Sequence, residues 1–495
     1  MARRGVTGCL VLLMAALPVQ ADTWIYEPSI ALDQRFDDNY RLETGIEREV
    51  SATRLIGDLG ISRESRTSSI KGGVRIDGLL TRGEYDGDEL DSNRVLFIEG
   101  LFGNERTRWG VDASAKLDTP SRDISADLST EGSEATDSGV VTQRSNVARQ
   151  RLEIAPTIKH ELTRRSSVQA TFSVVSVSHE LPDPQDAIYT RYLQRYNNPN
   201  RPDDFPTAAD GSPLPIDQVT IAEAGGVFTP TGELDDYNEA KLNLTYRFKL
   251  SPISTFSAIA ATSYYVADVE AADVDFPQLV REGQLDIYRR PRGRDAISTT
   301  NSFRLGYERN LSQTLKGGIQ AGLYFNTTDE TDTYRPSDRP DQEFDEERLA
   351  ALESNSNGWL ANVTLSKDAG LTRYTARFGL DVQPSSIGTQ VETQELIADV
   401  YRTITPLLDA SLRFRAYEPD RLGASPDDLF ARRFISFEPK LTWRFKRAWA
   451  ASASYRYRRQ KSRAEVDTGE SNALLFSLKY TPPSAVRDAA REAGL

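Results

Sequence analysis

The chain has 495 residues, a formal net charge of -13 and 38% hydrophobic residues. So polar a composition excludes a polytopic helical membrane protein with its repeated runs of ~20 apolar residues, and the acidic balance argues against a nucleic-acid partner. It leaves room for a β-barrel, in which only every second strand residue faces lipid and the loops are polar.

The N-terminus reads as a secretion signal. Arg3 and Arg4 form a basic head, Leu10 to Leu17 a short apolar core, and Val19 and Ala21 the small residues before a cleavage site at Asp22. Residues 1–21 are therefore expected to be removed. Cys9, the one cysteine, would leave with them, and a mature chain without cysteine has neither disulfides nor cysteine metal sites.

Beyond the signal, apolar and polar residues alternate with the period of a half-buried strand. Ile70, Gly72, Val74, Ile76, Gly78 and Leu80 share one face, opposite Lys71, Arg75 and Asp77. The pattern returns at Leu96 to Phe102, Leu152 to Ile158 and Val168 to Val174, and is clearest where Leu242, Leu244, Tyr246 and Phe248 interleave with Lys241, Asn243, Thr245, Arg247 and Lys249. It continues through Leu315 to Phe325, Tyr374 to Val382, Ile435 to Phe445 and Leu474 to Tyr480.

Connection lengths alternate as well. Short turns near Glu64 to Thr67, Gly103 to Glu105, Leu162 to Arg164, Leu250 to Pro252, Leu311 to Ser312, Lys367 to Gly370, Thr403 to Pro406 and Phe445 to Arg447 take turns with long polar loops. The main loops are Leu117 to Asn146, Glu180 to Asp235, Asp268 to Ser298 and Asp329 to Asn355. This is the pattern of a single transmembrane antiparallel up-and-down barrel, with short periplasmic turns and long extracellular loops. The count is about 18 strands, or about 16 if the weak segments around Ala31 and Val391 do not pair. The barrel is expected over residues 22–481 of the cell outer membrane. Trp24, Trp109, Trp443 and Trp449 fall on the short-turn side and Trp359 near the other rim, as two interfacial girdles require. Pro482 and Pro483 stop the last strand, leaving 482–495 as a short periplasmic tail.

The polar strand face is basic. Candidate lumen residues are Arg247, Lys249, Arg373, Arg377, Arg413, Arg415, Lys440, Arg444, Arg456 and Arg458, with Arg75, Arg94, Arg151 and Arg304 on earlier strands. Cationic rings inside a pore favour anions. The alternative is internal pairing with acids such as Glu99, Glu153, Asp381 and Glu438, and both readings stay open at this level.

The predicted outer loops are acidic, with Asp329, Glu330, Asp332, Asp338, Asp341, Glu343, Asp345, Glu346 and Glu347 in one and Glu84, Asp86, Asp88, Glu89 and Asp91 in another. They suit solvation, Ca²⁺, or divalent bridges to lipopolysaccharide, without EF-hand spacing. The longest loop, Glu180 to Asp235, opens with Tyr189, Tyr192 and Tyr196, which could stack on sugars if it folds inward.

Catalysis is not expected. The two histidines, His160 and His179, fall at opposite ends of neighbouring strands, and Ser178, His179 and Glu180 alternate faces and cannot form a triad. No phosphate loop, dinucleotide fingerprint or zinc motif implies a cofactor.

Trp24 to Leu32, with Pro28 and Ser29, followed by Phe36, Asp37, Asp38, Asn39, Tyr40, Arg41 and Leu42, resembles the start of a group of Gram-negative outer-membrane β-barrels associated with exopolysaccharide and exosortase (PEP-CTERM-type) gene clusters. The similarity covers about twenty residues by motif. It implies a barrel tied to polysaccharide export and supplies no catalytic residues. Read from the residues alone, Asp37, Asp38 and Asn39 are turn formers. The expected function is a channel or export-associated pore for an anionic polymer such as an exopolysaccharide. The alternatives are a general or anion-preferring small-solute porin and a plugged structural or anchoring barrel. Outer-membrane lipid, lipopolysaccharide, the outer-membrane insertion machinery and periplasmic export components are the expected partners.

Overall fold

A computed structural model describes residues 24–39, 49–65, 67–83, 89–118, 148–180, 236–269, 292–334, 347–348, 352–384, 390–421, 432–462 and 468–482. The proposed signal, the tyrosines of the longest loop, most of the two acidic loops and the tail from 483 onward lie outside them.

The described residues form strands β1 (Trp24–Asp37), β2 (Val50–Glu64), β3 (Ser68–Gly83), β4 (Glu89–Gly103), β5 (Thr107–Asp118), β6 (Ala148–Glu161), β7 (Ser166–Glu180), β8 (Asp236–Ser251), β9 (Ser254–Val269) and β10 (Arg292–Asn310). They continue as β11 (Leu315–Tyr334), β12 (Glu347–Arg348), β13 (Leu352–Ala369), β14 (Thr372–Pro384), β15 (Gln390–Thr405), β16 (Leu408–Arg421), β17 (Arg432–Lys446), β18 (Trp449–Ser462) and β19 (Thr468–Tyr480). β12 is a two-residue rung on β11. The other eighteen strands each pair antiparallel with their chain neighbours, and β1 pairs with β19 to close the ring. The segments around Ala31 and Val391 are full members, in β1 and β15. Their outward rows carry polar residues such as Gln34 and Gln394, which weakens the alternation without weakening the ladder.

Register assigns every strand two faces, because cross-strand partners share a side. Leu32 opposite Leu55, Leu244 opposite Ala260, Ile319 opposite Val363 and Phe414 opposite Phe437 lie on the outer face. On β11 the outer apolar run from Leu315 to Phe325 matches the ~9–11 residues of a membrane-crossing strand. β11 then continues to Tyr334 and β10 starts at Arg292, inside the stretches expected to be loops. Asp329, Glu330 and Asp332 therefore belong to β11, and Glu89 and Asp91 to β4. Past the lipid both faces are wet, so these strand ends lose the alternation that marks the membrane part.

Trp443, Phe445, Trp449 and Tyr480 form a chain of outward rings, with centroids 5.3, 6.5 and 4.8 Å apart, on the short-turn side. Trp359 is the last outward apolar residue of β13 before Asn357 and Asn355. Several short turns are held by their own side chains. Asn104 Oδ1 accepts from the Arg106 and Thr107 amides at 2.9 and 2.8 Å, Thr163 Oγ1 from Arg165 and Ser166, and Ser312 Oγ from Thr314 and Leu315. Gly370 turns the β13–β14 hairpin at φ +72°, a conformation that costs a side chain.

The closing seam is partial. β1 pairs with β2 along its whole length, whereas its ladder with β19 runs only from Ile30 opposite Tyr480 to Asp37 opposite Ala473. The long-loop end of this seam carries a buried ionic cluster. Asp37 accepts from Arg35, from Arg458 Nη2 at 2.9 Å, from Ser471 Oγ at 2.7 Å and from the Asn39 amide at 3.1 Å. Next to it, Asp38 accepts from the Asn472 amide and side chain, and its own amide donates to the Asn472 carbonyl. Asp37 is thus an inward-facing strand residue, where the sequence suggested a turn former. Two of its partners, Arg458 and Ser471, lie some four hundred residues downstream, beyond the reach of local pattern. Replacing Asp37 by Ala removes the carboxylate shared by two buried guanidiniums and is expected to cost about 3–5 kcal/mol. The temperature at which the folded band is lost in semi-native electrophoresis should fall well below wild type, while Asp38→Ala, at an exposed bond, should lower it less.

Candidate functional site: the barrel lumen

All ten candidate cations, Arg247, Lys249, Arg373, Arg377, Arg413, Arg415, Lys440, Arg444, Arg456 and Arg458, stand on the inner face by register. Arg75, Arg151 and Arg304 do too. Arg94 does not. It shares the parity of Leu96 and Ile98 and pairs with outward Ile76 and Leu117. An arginine at the upper end of such an apolar run costs only ~0–1 kcal/mol near the interface.

Most inner arginines are already paired with acids. Arg413 binds Asp399 at 2.7 Å, Arg415 Glu395 at 2.7 Å, Arg456 Glu438 at 2.7 Å and Arg458 Asp37; Arg444 meets Asp409, and Arg373 lies 3.6 Å from Asp368. Arg304 crosses Gly322 and two strands to reach Asp381 at 2.7 Å. Arg149 grips Asp118 through two bonds of 2.9 and 2.8 Å. Charges removed from water must be compensated in this way. Such pairs brace the wall and offer little net field to a solute.

The remaining cations are different. Among the described residues, Arg247, Lys249, Arg377 and Lys440 have no carboxylate at ion-pair distance. Arg247, Lys249 and Arg377 are solvent-exposed, and Lys440 is half-buried. Arg247 and Lys249 lie near the C-terminal end of β8, before the short hairpin at 252–253. Two to four strands away along the ring the inner face is acidic: Glu99 pairs in register with Asp112, and Glu153 with Ser114 beside it.

Burial divides the lumen along its axis. At the long-loop end Tyr265 is 0% exposed, Ala267 and Ala296 1%, Val177 2% and Tyr237 5%, forming one inward cluster with the two tyrosine rings 5.1 Å apart. Arg456, Arg458, Asp118 and Arg149 are buried at the same end. At the short-turn end the Arg373 and Arg444 side chains are 65% and 52% exposed. Exposed basic side chains thus gather toward the short-turn end, and the covered inward cluster lies toward the long-loop end.

The histidines are not brought together. His160 Nδ1 bonds the Thr107 hydroxyl at 2.8 Å on the outer face, while His179 pairs in register with Arg149 of the inner face, near the other end of the sheet.

A closed antiparallel ring with an apolar exterior, aromatic rings at its rim and a charged interior defines a transmembrane β-barrel of the outer-membrane type. It resides in the outer membrane, its outer face against lipid. No family model and no curated protein matches the chain. Solved structures that resemble it include OccK5 (OpdH) of Pseudomonas aeruginosa, at 11% identity over 92% of this chain and 98% of that one, with a TM-score of 0.37. OccK2 (OpdF) of the same organism, in complex with glucuronate, matches at 10% identity over 92% and 98%, TM-score 0.38. The ferric yersiniabactin uptake receptor FyuA of Yersinia pestis matches at 8% identity over 93% of this chain and 66% of that one, TM-score 0.45.

The axial asymmetry is testable by thiol chemistry, since the expected mature chain has no cysteine of its own. Arg247→Cys, Lys249→Cys and Arg377→Cys should react with a water-soluble maleimide in the folded barrel. Arg458→Cys and Ser471→Cys should react only after unfolding, as read by mass shift. Equal labelling of all five would contradict this difference in burial.

Proposed function

We propose that this protein is an outer-membrane channel that admits an anionic polymer from its short-turn mouth, with an exopolysaccharide as the polymer class. The carrying observation is the exposure of the inner cations Arg247, Lys249 and Arg377, which have no carboxylate partner among the described residues and lie toward the short-turn end of their strands. An unpaired cation in a low-dielectric wall attracts anions far more than one already neutralised. Short turns face the periplasm in outer-membrane barrels, so exposed cations there suit a solute arriving from inside the cell. The N-terminal resemblance to barrels of exopolysaccharide clusters supports the same direction of traffic. Lipopolysaccharide around the exterior, the insertion machinery and periplasmic export components complete the proposed context.

A competing reading is favoured by one feature, the burial of inward side chains at the long-loop end, which suits a plugged anchoring barrel. Planar-bilayer recording separates the two. Conductance with anion preference at low salt, weakening as salt screens the wall, is the expected result. Replacing Arg247, Lys249 and Arg377 together by Gln should move the reversal potential toward cations. A barrel that inserts and stays silent would overturn the channel. Loss of polymer secretion in a deletion strain, with small-anion uptake intact, separates polymer export from a small-solute porin.

A further inference from the structure

Large exposed apolar side chains on the described strands face outward, toward lipid, with three exceptions: Phe97, Leu101 and Tyr401. Phe97 and Leu101 lie on the inner face of β4, 37% and 42% exposed. An apolar ring open to the lumen is unusual here, since among the large apolar inner side chains of the described strands only Leu101 and Tyr401 are similarly exposed.

Phe97 is also seated. Its register partner is Gly73, which pairs in turn with Gly60. A Cβ at position 73 would overlap the ring's Cε1 and Cζ at 2.6 and 2.8 Å. The ring therefore lies over Gly73, whose missing side chain makes room for it, while Gly60 one strand further on faces Glu27. Polar groups frame it. On β2 and β3 the Arg75–Asp58 pair stands to one side, with Asp58 also accepting from Ser29 Oγ at 3.2 Å. On the other side come Lys71 and Glu99, which are register partners, and then Asp112.

We infer that Phe97 on its glycine floor is a stacking platform for a pyranose ring, binding an uncharged sugar unit of the polymer proposed above, on which reading this inference rests. The apolar C–H face of a sugar covers an aromatic ring, and its equatorial hydroxyls reach outward to carboxylates and guanidiniums around the rim. Glu99 and Asp112 supply acceptors and together outweigh the single charge of Lys71, so this side of the frame disfavours a uronate and the platform selects neutral units. The unpaired cations of β8 and β14 lie on other strands of the ring and are left to the acidic ones.

Binding, measured without reference to conductance, tests this. Maltohexaose and oligogalacturonate are titrated into detergent-purified barrel by saturation-transfer NMR, comparing wild type with Phe97→Ala, Phe97→Leu and Gly73→Ala. Wild type should bind maltohexaose, and Phe97→Ala should bind about tenfold more weakly, the ratio expected for one lost aromatic contact. Phe97→Leu keeps the bulk without the π face and should also weaken binding, which protects the test if the alanine variant misfolds. Gly73→Ala should lift the ring off its floor and do the same, with oligogalacturonate binding unchanged throughout. Equal maltohexaose binding by wild type and Phe97→Leu, or none by wild type, overturns the platform and leaves the channel standing if the barrel conducts. A silent barrel that still needs Phe97 for binding overturns the channel and keeps the platform.

Discussion

Everything in this molecule depends on one requirement, that no backbone N–H or C=O be left unpaired in hydrocarbon. A strand in lipid has no water to fall back on, and each unsatisfied group costs several kcal/mol. A sheet meets the requirement only by closing on itself. Closure here falls to β1 and β19, the strands furthest apart in sequence, along the ladder from Ile30 to Asp37. The seam is fixed at its long-loop end by Asp37 between Arg35 and Arg458, a place where low dielectric makes a satisfied charge strong and an unsatisfied one ruinous. Asp38 and Asn472 extend the closure past the last ladder pair.

Once the ring is closed, parity fixes the fate of each side chain. Outward residues meet lipid and need only be apolar, with rings at the interface. Inward residues meet one another across a curved wall, and most of the charge is consumed there. The ladder of Arg413–Asp399, Arg415–Glu395 and Arg456–Glu438 neutralises β16 to β18 strand by strand, while Arg304 and Asp381 tie β10 to β14 across the strands between. A basic inner face in the sequence is thus largely a bracing system. What can act on a solute is the remainder after pairing.

This explains which parts of the structure were readable in the sequence. Alternation marked Leu242 to Phe248 and Ile435 to Phe445 because the membrane imposes opposite solvents on the two faces over that length. It failed at Asp329 to Asp332, where the strand continues into water and the contrast disappears. Parity alone could have placed Arg94 outside, since it is two residues from Leu96 and four from Ile98. The turn chemistry was also present in plain form, as Asn104, Thr163 and Ser312 each precede by three residues the amide that they cap. Pairing was not readable. Arg304 and Asp381 are 77 residues apart, and Arg458 and Asp37 are 421, so their meeting depends on register and curvature that no local window contains.

The same distinction bears on what the lumen recognises. Paired arginines report where the wall must be stiff. Arg247, Lys249 and Arg377, exposed and without acids beside them, and Phe97, exposed and without apolar cover, both depart from the rule that governs their neighbours. Each leaves a favourable interaction unmade in the empty barrel, electrostatic in one case and hydrophobic in the other. A charged polymer built on sugar rings satisfies both at once, since its acid groups complement the cations and its C–H faces the ring. A small inorganic anion satisfies only the first. The coexistence of the two departures in one lumen, rather than the number of its arginines, is what favours a glycan over a simple salt.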